Sequence, residues 1–172
     1  MPKSSADVSN TAVRIFLHEI GKSHDVERGF APYKKKDFGK IKEFFGHTCC
    51  FCGVSEEKQR LTGDHLVPTN RKALGLEAWG NIVPACTNCN EEKHFKDWRE
   101  YMDSFTDDDV GPRVARIEEF ITHYRYAPDL ETIRLAVVEL YEESGGIVDS
   151  LIELKLKRAL ERMAAKAGRV FG

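Results

Sequence analysis

Residues 49–90 read CCFCGVSEEKQRLTGDHLVPTNRKALGLEAWGNIVPACTNCN. They contain two Cys-x-x-Cys pairs, Cys49 with Cys52 and Cys86 with Cys89. Two residues between cysteines allow both thiolates of one turn to bind the same ion, at about 2.3 Å each. Two such turns complete a tetrahedral set of four sulfurs, which leaves no ligand position for a substrate. The spacing therefore predicts a structural zinc ion.

The fifth cysteine, Cys50, belongs to neither pair, and we interpret it as a packed or free thiol. An odd number of cysteines, in a chain that opens without a secretory signal, argues against a disulfide framework. A redox pair, or cysteines that are close by chance, is the alternative to zinc. The segment between the pairs is longer than a simple zinc ribbon needs, so we expect it to carry the function.

Polar residues between and just after the cysteine pairs are of the kinds that phosphodiester hydrolysis requires: Asp64, His65, Asn81, Asn90 and His94. This reaction needs a base that deprotonates water, a cation on the phosphate and a rigid frame for both. An imidazole suits the base, because its unperturbed pKa is about 6.5. The oxygen of Asp64 suits Mg²⁺ or Mn²⁺. His94 stands four positions after Asn90 on a predicted helix, so both side chains would share one face and reach the same ion.

Each of these residues also has a simpler structural interpretation. An Asp-His pair often forms a turn, Asn81 can cap a bend, and Asn90 is a natural N-cap for the helix that it begins. Their joint occurrence in this order, inside and beside two cysteine pairs, favours a functional site. Four histidines fall outside the pattern, and we expect them on the surface or in the core: His18, His24, His47 and His123.

The order of these residues resembles the zinc-stapled form of the HNH endonuclease signature. The matching positions are Asp64-His65-x-x-Pro68 and Gly80-Asn81-Ile82-Val83-Pro84-x-Cys86-x-x-Cys89-Asn90-x-x-Lys93. The resemblance covers less than a third of the chain. It implies a ββα-metal fold, in which a β-hairpin and a helix hold one catalytic divalent ion and the zinc lies outside that site.

The resemblance also implies a role for each matching residue. His65 would be the general base, and Asp64 and Asn90 would bind the catalytic Mg²⁺ or Mn²⁺. Asn81 would hydrogen-bond to the backbone and hold the loop and the histidine in place. The third position of the HNH signature is occupied here by Asn90 rather than by a histidine. The catalytic ion would therefore be bound on this side either by Asn90 alone or by Asn90 with His94. We expect Lys93 to contact a phosphate, with an exposed helix lysine as the alternative.

Apolar spacing predicts the elements around this centre. The predicted helices cover residues 10–21, 37–45, 90–101, 112–124, 129–144 and 147–167, with strands at 60–67 and 82–85. Asn10 and Gly21 would cap and end the first helix, and Gly145-Gly146 would form a hairpin between the last two. We therefore expect an α+β fold: an N-terminal helical segment (1–46), a nuclease core with zinc (47–101) and a C-terminal helical region (102–172).

Composition limits the class of protein and of partner. With 41% hydrophobic and 31% charged residues, the chain fits a soluble globular protein, and no apolar run is long enough to span a membrane. We expect a cytoplasmic location. The net charge of −2 does not indicate a nucleic-acid binder. Basic residues nevertheless cluster at two places: Lys34, Lys35, Lys36, Lys40 and Lys42, and then Lys155, Lys157, Arg158, Arg162, Lys166 and Arg169.

These patterns favour a DNA endonuclease, with RNA as another possible substrate and a homodimer through the C-terminal helices as a possible assembly. Two other classes of protein fit the same cysteines. One is a zinc-containing module that binds nucleic acid without cutting it. The other is an interaction scaffold stapled by zinc. Divalent-ion-dependent cleavage that is lost in His65→Ala, with unchanged zinc content, would distinguish the nuclease from both.

Overall fold

The computed structural model describes the backbone of residues 4–168 and the side chains of residues 4–158. Within this part of the chain the architecture is mixed α+β and agrees with the predicted ββα-metal core. The elements are α1 (Ser5–Glu27), α2 (Phe38–Phe44, after a 3₁₀ turn at Lys35–Asp37), β1 (Leu61–His65), β2 (Ile82–Cys86), α3 (Thr87–Lys93), α4 (Trp98–Met102), α5 (Val110–His123) and α6 (Leu130–Gly168). Among the described helices, none combines the length and apolarity that crossing a bilayer requires.

The two strands form an antiparallel sheet that confirms both predicted strands. Leu61 pairs with Cys86, and His65 pairs with Ile82. All five residues of β2 are buried, because the strand lies between β1 and the turn that carries the first cysteine pair. The backbone N–H of Cys50 in that turn donates to the carbonyl oxygen of Pro84 at 2.8 Å. The hairpin and the cysteine turn are thus one unit.

Two hydrophobic cores hold the flanking helices against this unit. The larger core joins residues from all three expected segments, among them Ile41, Phe51, Val83, Trp98 and Phe120. A second core joins α1, the loop between the strands and α6: Val13, Leu17, Leu74, Leu76, Ala78, Ile133 and Val137. The helices outside the cysteine pairs therefore pack directly on the segment that carries the site.

Helix α1 is longer than the sequence predicts. It begins after Ser4, whose Oγ accepts the backbone N–H of Asp7, and it runs through Asn10 and Gly21 to Glu27. The predicted cap and end were therefore wrong. A Cβ at Gly21 would lie 2.5 Å from the carbonyl oxygen of Glu77. This glycine does not end the helix but allows it to approach the loop between the strands.

The predicted helix over residues 90–101 is interrupted. Helix α3 already begins at Thr87 and ends at Lys93, because His94 adopts a φ of +49°, which does not continue a right-handed helix. Helix α4 then starts with Trp98, whose N–H donates to the carbonyl oxygen of Leu66 at 3.1 Å and whose side chain is buried. His94 therefore follows the end of α3 instead of lying within it, although its backbone N–H still donates to the carbonyl oxygen of Asn90 at 3.1 Å.

The C-terminal region contains no helical hairpin within the described residues. Helix α5 confirms the helix predicted at 112–124, but α6 runs without a break through Gly145 and Gly146. A Cβ at Gly145 would lie 3.2 Å from Ser9 Oγ, so this glycine marks the crossing of α6 with α1 rather than a turn. Beyond the crossing, Ile147, Leu151 and Leu154 are exposed. Three residues of the predicted basic cluster lie outside the described side chains: Arg162, Lys166 and Arg169.

Candidate active site

The four paired cysteines meet at one point. One sulfur from each of Cys49, Cys52, Cys86 and Cys89 lies within 4.8 Å of the others, and Cys52 Sγ is 3.7 Å from Cys86 Sγ. A tetrahedral zinc ion with bonds of about 2.3 Å requires sulfurs about 3.8 Å apart, so this geometry fits a thiolate-bound ion. None of the cysteines forms a disulfide. The predicted cluster can therefore hold a metal ion.

Local structure explains how the cysteines converge. The first pair lies on a turn closed by a Thr48–Ser55 bridge, in which Gly53 has a φ of +76°. The second pair spans the end of β2 and the first turn of α3. Cys50 is buried in the larger core, and this burial raises the pKa of its thiol well above the usual value. The interpretation of Cys50 as a packed thiol outside the cluster is confirmed.

Four of the predicted site residues line one cleft of about 580 Å³: Asp64, His65, Asn90 and His94. The other lining residues come from α1, from the loop between the strands and from the turn after α3: Arg14, Ile15, His18, Pro68, Thr69, Glu77 and Phe95. The structure thus brings together residues that are separated by up to 30 positions within the signature, and it adds residues from outside it.

Asp64 lines the cleft but is nearly buried, with 8% of its surface exposed. Its Oδ1 accepts the backbone N–H of His65 at 2.8 Å. Its Oδ2 has no partner with hydrogen-bond geometry, although it lies 3.2 Å from Lys93 Nζ. Burial raises the pKa of Asp64, and the positive charge of Lys93 opposes that rise. Among the described residues, Oδ2 therefore has an ion pair but no hydrogen bond.

Lys93 does not lie where the sequence interpretation expected it. Its side chain is fully buried, and Nζ donates to the carbonyl oxygen of His65 at 2.6 Å while facing Asp64. An ammonium group enclosed in this way does not reach a phosphate on the surface, and it is not an exposed helix lysine. Instead, Lys93 joins the end of α3 to the end of β1 beneath the cleft.

Asn81 is fully buried and ties the loop between the strands together. Its Oδ1 accepts the N–H of Val67 at 2.8 Å, and its Nδ2 donates to the carbonyl oxygens of Val67 and Leu76 at 3.0 and 2.8 Å. The carbonyl oxygen of Asn81 also accepts the N–H of Leu66 at 2.8 Å. These bonds hold the chain that directly follows His65.

Asn90 and His94 both line the cleft from the α3 side. Asn90 Nδ2 donates to Thr62 Oγ1 at 3.1 Å, and the amide oxygen of Asn90 accepts no hydrogen bond from the residues that the structure describes. The ring of His94 packs against Phe95, with centroids 3.9 Å apart. Among the residues that the structure describes, the cysteine set is the one group of three or more Cys, His, Asp or Glu ligands within 4.8 Å. His94 therefore shares the cleft with Asp64 without forming a three-ligand cluster.

Sequence reasoning missed three residues of the cleft. Glu77 Oε2 lies 3.6 Å from His65 Nε2 and 3.8 Å from Nδ1 of His18, a histidine that we expected to have no role. Arg14 lies one helical turn before His18 on the same helix and also lines the cleft. The spacing of Arg14 and His18 on an amphipathic helix was a weak signal, and Glu77 carried none, because its neighbours in space are remote in sequence.

Comparisons with known proteins agree with this geometry. Residues 49–96 match the family model described as HNH endonuclease. A protein of Bacillus subtilis (strain 168), named "SPbeta prophage-derived putative HNH endonuclease YoqL", is 25% identical over 92 residues. The aligned region covers 50% of this chain and 40% of that protein, so the chain spans less than half of its relative. No solved structure matches the chain.

The matched residues contain the whole cysteine cluster and the four predicted residues of the cleft. They also contain both strands of the sheet and helix α3. The family match, the geometry of the four cysteines and the order of two strands followed by a helix all agree for residues 49–96. Residues 49–96 of this chain form a domain of the HNH endonuclease family.

Proposed function

We propose that this protein hydrolyses phosphodiester bonds of DNA, with His65 as general base and one divalent ion at Asp64 and Asn90. The observation that carries the proposal is the convergence of Asp64, His65 and Asn90 on one cleft. A base and two oxygen donors in one polar cleft form the arrangement that metal-assisted hydrolysis requires. RNA remains the second candidate substrate.

Two chemically different sets of donor atoms, one of sulfur and one of oxygen, would bind different metal ions. The four thiolates of the cysteine cluster suit zinc, which would be structural because all of its positions are filled. The carboxylate of Asp64 and the amide oxygen of Asn90 suit Mg²⁺ or Mn²⁺. The oxygen that would bind such an ion is Oδ2 of Asp64, which is buried, makes no hydrogen bond among the described residues and faces Lys93 Nζ at 3.2 Å. When bound, the ion would stabilise the charge that develops on the phosphate. His94 is the candidate for a further ligand.

The other side chains hold this site in shape. Lys93 pairs with the carboxylate of Asp64 and donates a hydrogen bond to the carbonyl oxygen of His65. One buried side chain therefore holds both proposed catalytic residues. Asn81 fixes the loop that follows His65 through bonds to Val67 and Leu76. Such support matters because hydrolysis depends on placing the base and the phosphate within fractions of an ångström.

A second depression of about 480 Å³ extends the cleft on the other side of His65 and Glu77, which line both. Exposed cationic residues stand on the two sides: Arg14 in the first depression, and Lys35 and Arg60 in the second. We propose that the nucleic-acid backbone crosses His65 along this line, with these residues on flanking phosphates. They replace Lys93 as phosphate contacts, and such binding would weaken as salt rises.

We also propose that a second copy of the chain packs against the C-terminal half of α6. Apolar side chains exposed there include Ile147, Leu151, Ile152, Leu154 and Leu156. Acidic residues at 149 and 153 precede basic residues at 155, 157 and 158 along this helix. An antiparallel copy would pair these opposite charges while covering the apolar residues. The expected division into segments 1–46, 47–101 and 102–172 stays a prediction.

The test of the proposed activity is cleavage of supercoiled plasmid by the purified protein with Mg²⁺ or Mn²⁺. We expect nicking or linearisation that is lost with EDTA and in His65→Ala, while zinc content and folding stay unchanged. His123→Ala is the matched control, because its ring lies outside the cleft, against Phe44 and Tyr124. A folded, zinc-loaded wild type that cuts no plasmid, branched DNA, single-stranded DNA or RNA would contradict the proposal and favour the binding module.

A further inference from the structure

Glu77 is a carboxylate placed between two imidazoles, and neither the family match nor the signature includes a role for it. Its Oε2 lies 3.6 Å from His65 Nε2 and 3.8 Å from His18 Nδ1. Both contacts are longer than a hydrogen bond of about 2.7–3.2 Å, so they are electrostatic contacts in this structure. Catalytic hydrogen bonds are often long before substrate binds, and a small rotation of the carboxylate would close either one.

The two ring nitrogens of His65 have different surroundings. Nε2 is buried, has no hydrogen-bond partner and faces Glu77. Nδ1 makes no hydrogen bond to the described residues, and the His65 ring lines the cleft, so we assign Nδ1 as the nitrogen that faces water there. A carboxylate beside one nitrogen favours the tautomer that carries its proton there. Glu77 would therefore keep the proton on Nε2 and leave the lone pair on Nδ1.

The charges around Glu77 favour its ionised form. Contact with the His65 imidazole lowers the pKa of Glu77, burial opposes this, and His18 and Lys35 add to the lowering. Among the described residues, Glu77, His18 and His65 do not form a group that could hold a metal ion. The carboxylate is thus an anion that acts on the imidazoles themselves.

Helix α1 holds Glu77 in this position from outside the matched domain. The backbone of Glu77 packs so closely on Gly21 that a Cβ there would clash with it. Two residues later, the N–H of Trp79 donates to Asp25 Oδ1 at 3.1 Å, and Asp25 is itself paired with Arg28 at 2.5 Å. The loop therefore contacts α1 at two points: at Glu77 itself, through Gly21, and two residues later at Trp79, through Asp25.

We propose that Glu77 is a positioning residue that accepts the Nε2–H of His65, so that Nδ1 takes the proton from the attacking water. The inference rests on the proposed nuclease function. The water O–H bond breaks, its proton passes to Nδ1, and the carboxylate stabilises the resulting imidazolium. The hydroxide oxygen bonds to phosphorus, the bond to the leaving sugar oxygen breaks, and solvent water protonates that oxygen. This arrangement parallels the orienting acid of a catalytic triad.

The first test compares Glu77→Gln and Glu77→Ala with the wild type, using zinc-loaded full-length protein and Mg²⁺ or Mn²⁺. The amide oxygen of Gln still accepts Nε2–H but carries no charge, so we expect intermediate activity for Gln and the lowest for Ala. The loss in Glu77→Ala should be about ten- to hundredfold in kcat, with KM changed by less than about twofold. Glu19→Gln is the matched control, because Glu19 is exposed on α1 and pairs with Lys22.

A second measurement does not depend on activity. The ¹⁵N chemical shifts of the His65 ring report which nitrogen carries the proton in the neutral imidazole. We expect the Nε2–H tautomer in the wild type and in Glu77→Gln, and a loss of that preference in Glu77→Ala. An Nδ1–H tautomer in the wild type, or wild-type kcat in Glu77→Ala, would overturn the inference.

The two proposals fail in different ways. If the wild type cleaves no nucleic acid, the nuclease function is wrong, and the catalytic role of Glu77 is wrong with it. If the wild type cleaves and Glu77→Ala cleaves equally well, the nuclease function stands and only the positioning role is wrong. Circular dichroism and zinc content of both variants must equal those of the wild type, and Glu77→Gln, which keeps the side-chain shape, provides the comparison if Glu77→Ala does not fold.

Discussion

Lys93 and Asp64 show how burial decides what a single side chain does. Both residues belong to the HNH signature, and both lie in a region that excludes most water. A buried ion pair adds little net stability, but removing one partner leaves an uncompensated charge. Because Lys93 also binds the carbonyl group of His65, its loss would affect both the fold and the position of His65.

We therefore predict that Lys93→Met lowers the free energy of unfolding by about 3 kcal/mol. Urea unfolding, followed by circular dichroism, measures the change. Lys96→Met is the control, because Lys96 is exposed three residues later and should change stability by less than about 0.5 kcal/mol. Equal unfolding midpoints for the two variants would show that the buried pair does not support the domain.

At the scale of elements, the shape of the candidate cleft depends on how α1 packs against the loop between the strands. Gly21 lies in the middle of a 23-residue helix, where alanine would ordinarily be more stable. Here the missing side chain provides the space that the carbonyl group of Glu77 occupies. A local preference for alanine thus conflicts with a long-range contact.

We predict that Gly21→Ala lowers stability by about 1–3 kcal/mol, because a Cβ 2.5 Å from Glu77 O must push α1 or the loop away. Gly39→Ala in α2 is the matched control. A Cβ at Gly39 meets nothing within 4 Å, so the higher helix propensity of alanine should leave stability unchanged or raise it by up to about 1 kcal/mol. Thermal unfolding of the two variants makes the comparison, and a Gly21→Ala protein as stable as Gly39→Ala would refute the steric argument.

A second prediction concerns the cysteine turn and the end of β2. Cys52→Ser should lose zinc and the cooperative unfolding of the hairpin, because metal binding contributes directly to folding in sites of this kind. Cys50→Ala should keep its zinc, since Cys50 is outside the cluster. Zinc content by atomic absorption and the unfolding temperature measure both effects. Full zinc content in Cys52→Ser would exclude a four-cysteine site.

At the scale of the whole molecule, helix α6 packs against the rest of the chain over only part of the length that the structure describes. Its first part packs on α1 through Ile133 and Val137, while the part beyond Gly145 exposes a series of apolar side chains. Monomeric proteins rarely leave such a surface uncovered. A long helix that packs through its first part and then exposes apolar side chains, here at residues 147–156, is typical of a protein that assembles through the exposed part.

We predict that the protein is a dimer at micromolar concentration and that Leu151→Glu combined with Leu154→Glu converts it to a monomer. Sedimentation equilibrium measures the mass directly. Val26→Glu is the control, because Val26 is equally exposed near the far end of α1 and should leave the dimer intact. A wild type that sediments as a 19.6 kDa monomer would show that a second copy does not cover this surface.

The signature residues were predictable from sequence because their geometry is local. Two residues between cysteines suffice to bring two sulfurs onto one ion, and the structure confirms the cluster. Both strands were predicted from their apolar residues, and the family match confirms the HNH resemblance. The roles of His65, Asp64 and Asn90 stay predictions, although the structure places all three on one cleft.

Tertiary structure alone decided the remaining features, because each depends on contacts between distant parts of the chain. Glu77 and His18 are 59 positions apart and meet only because α1 packs on the loop. The pair Gly145-Gly146 predicts a hairpin from sequence, yet α6 continues through both glycines. Gly145 instead provides the space in which Ser9 of α1 packs against α6. Lys93 is charged and hydrophilic, yet it is buried, because only the fold brings Asp64 and the carbonyl group of His65 to its ammonium group. Local spacing determined the ligands, whereas packing between helices and loop determined which other side chains surround them.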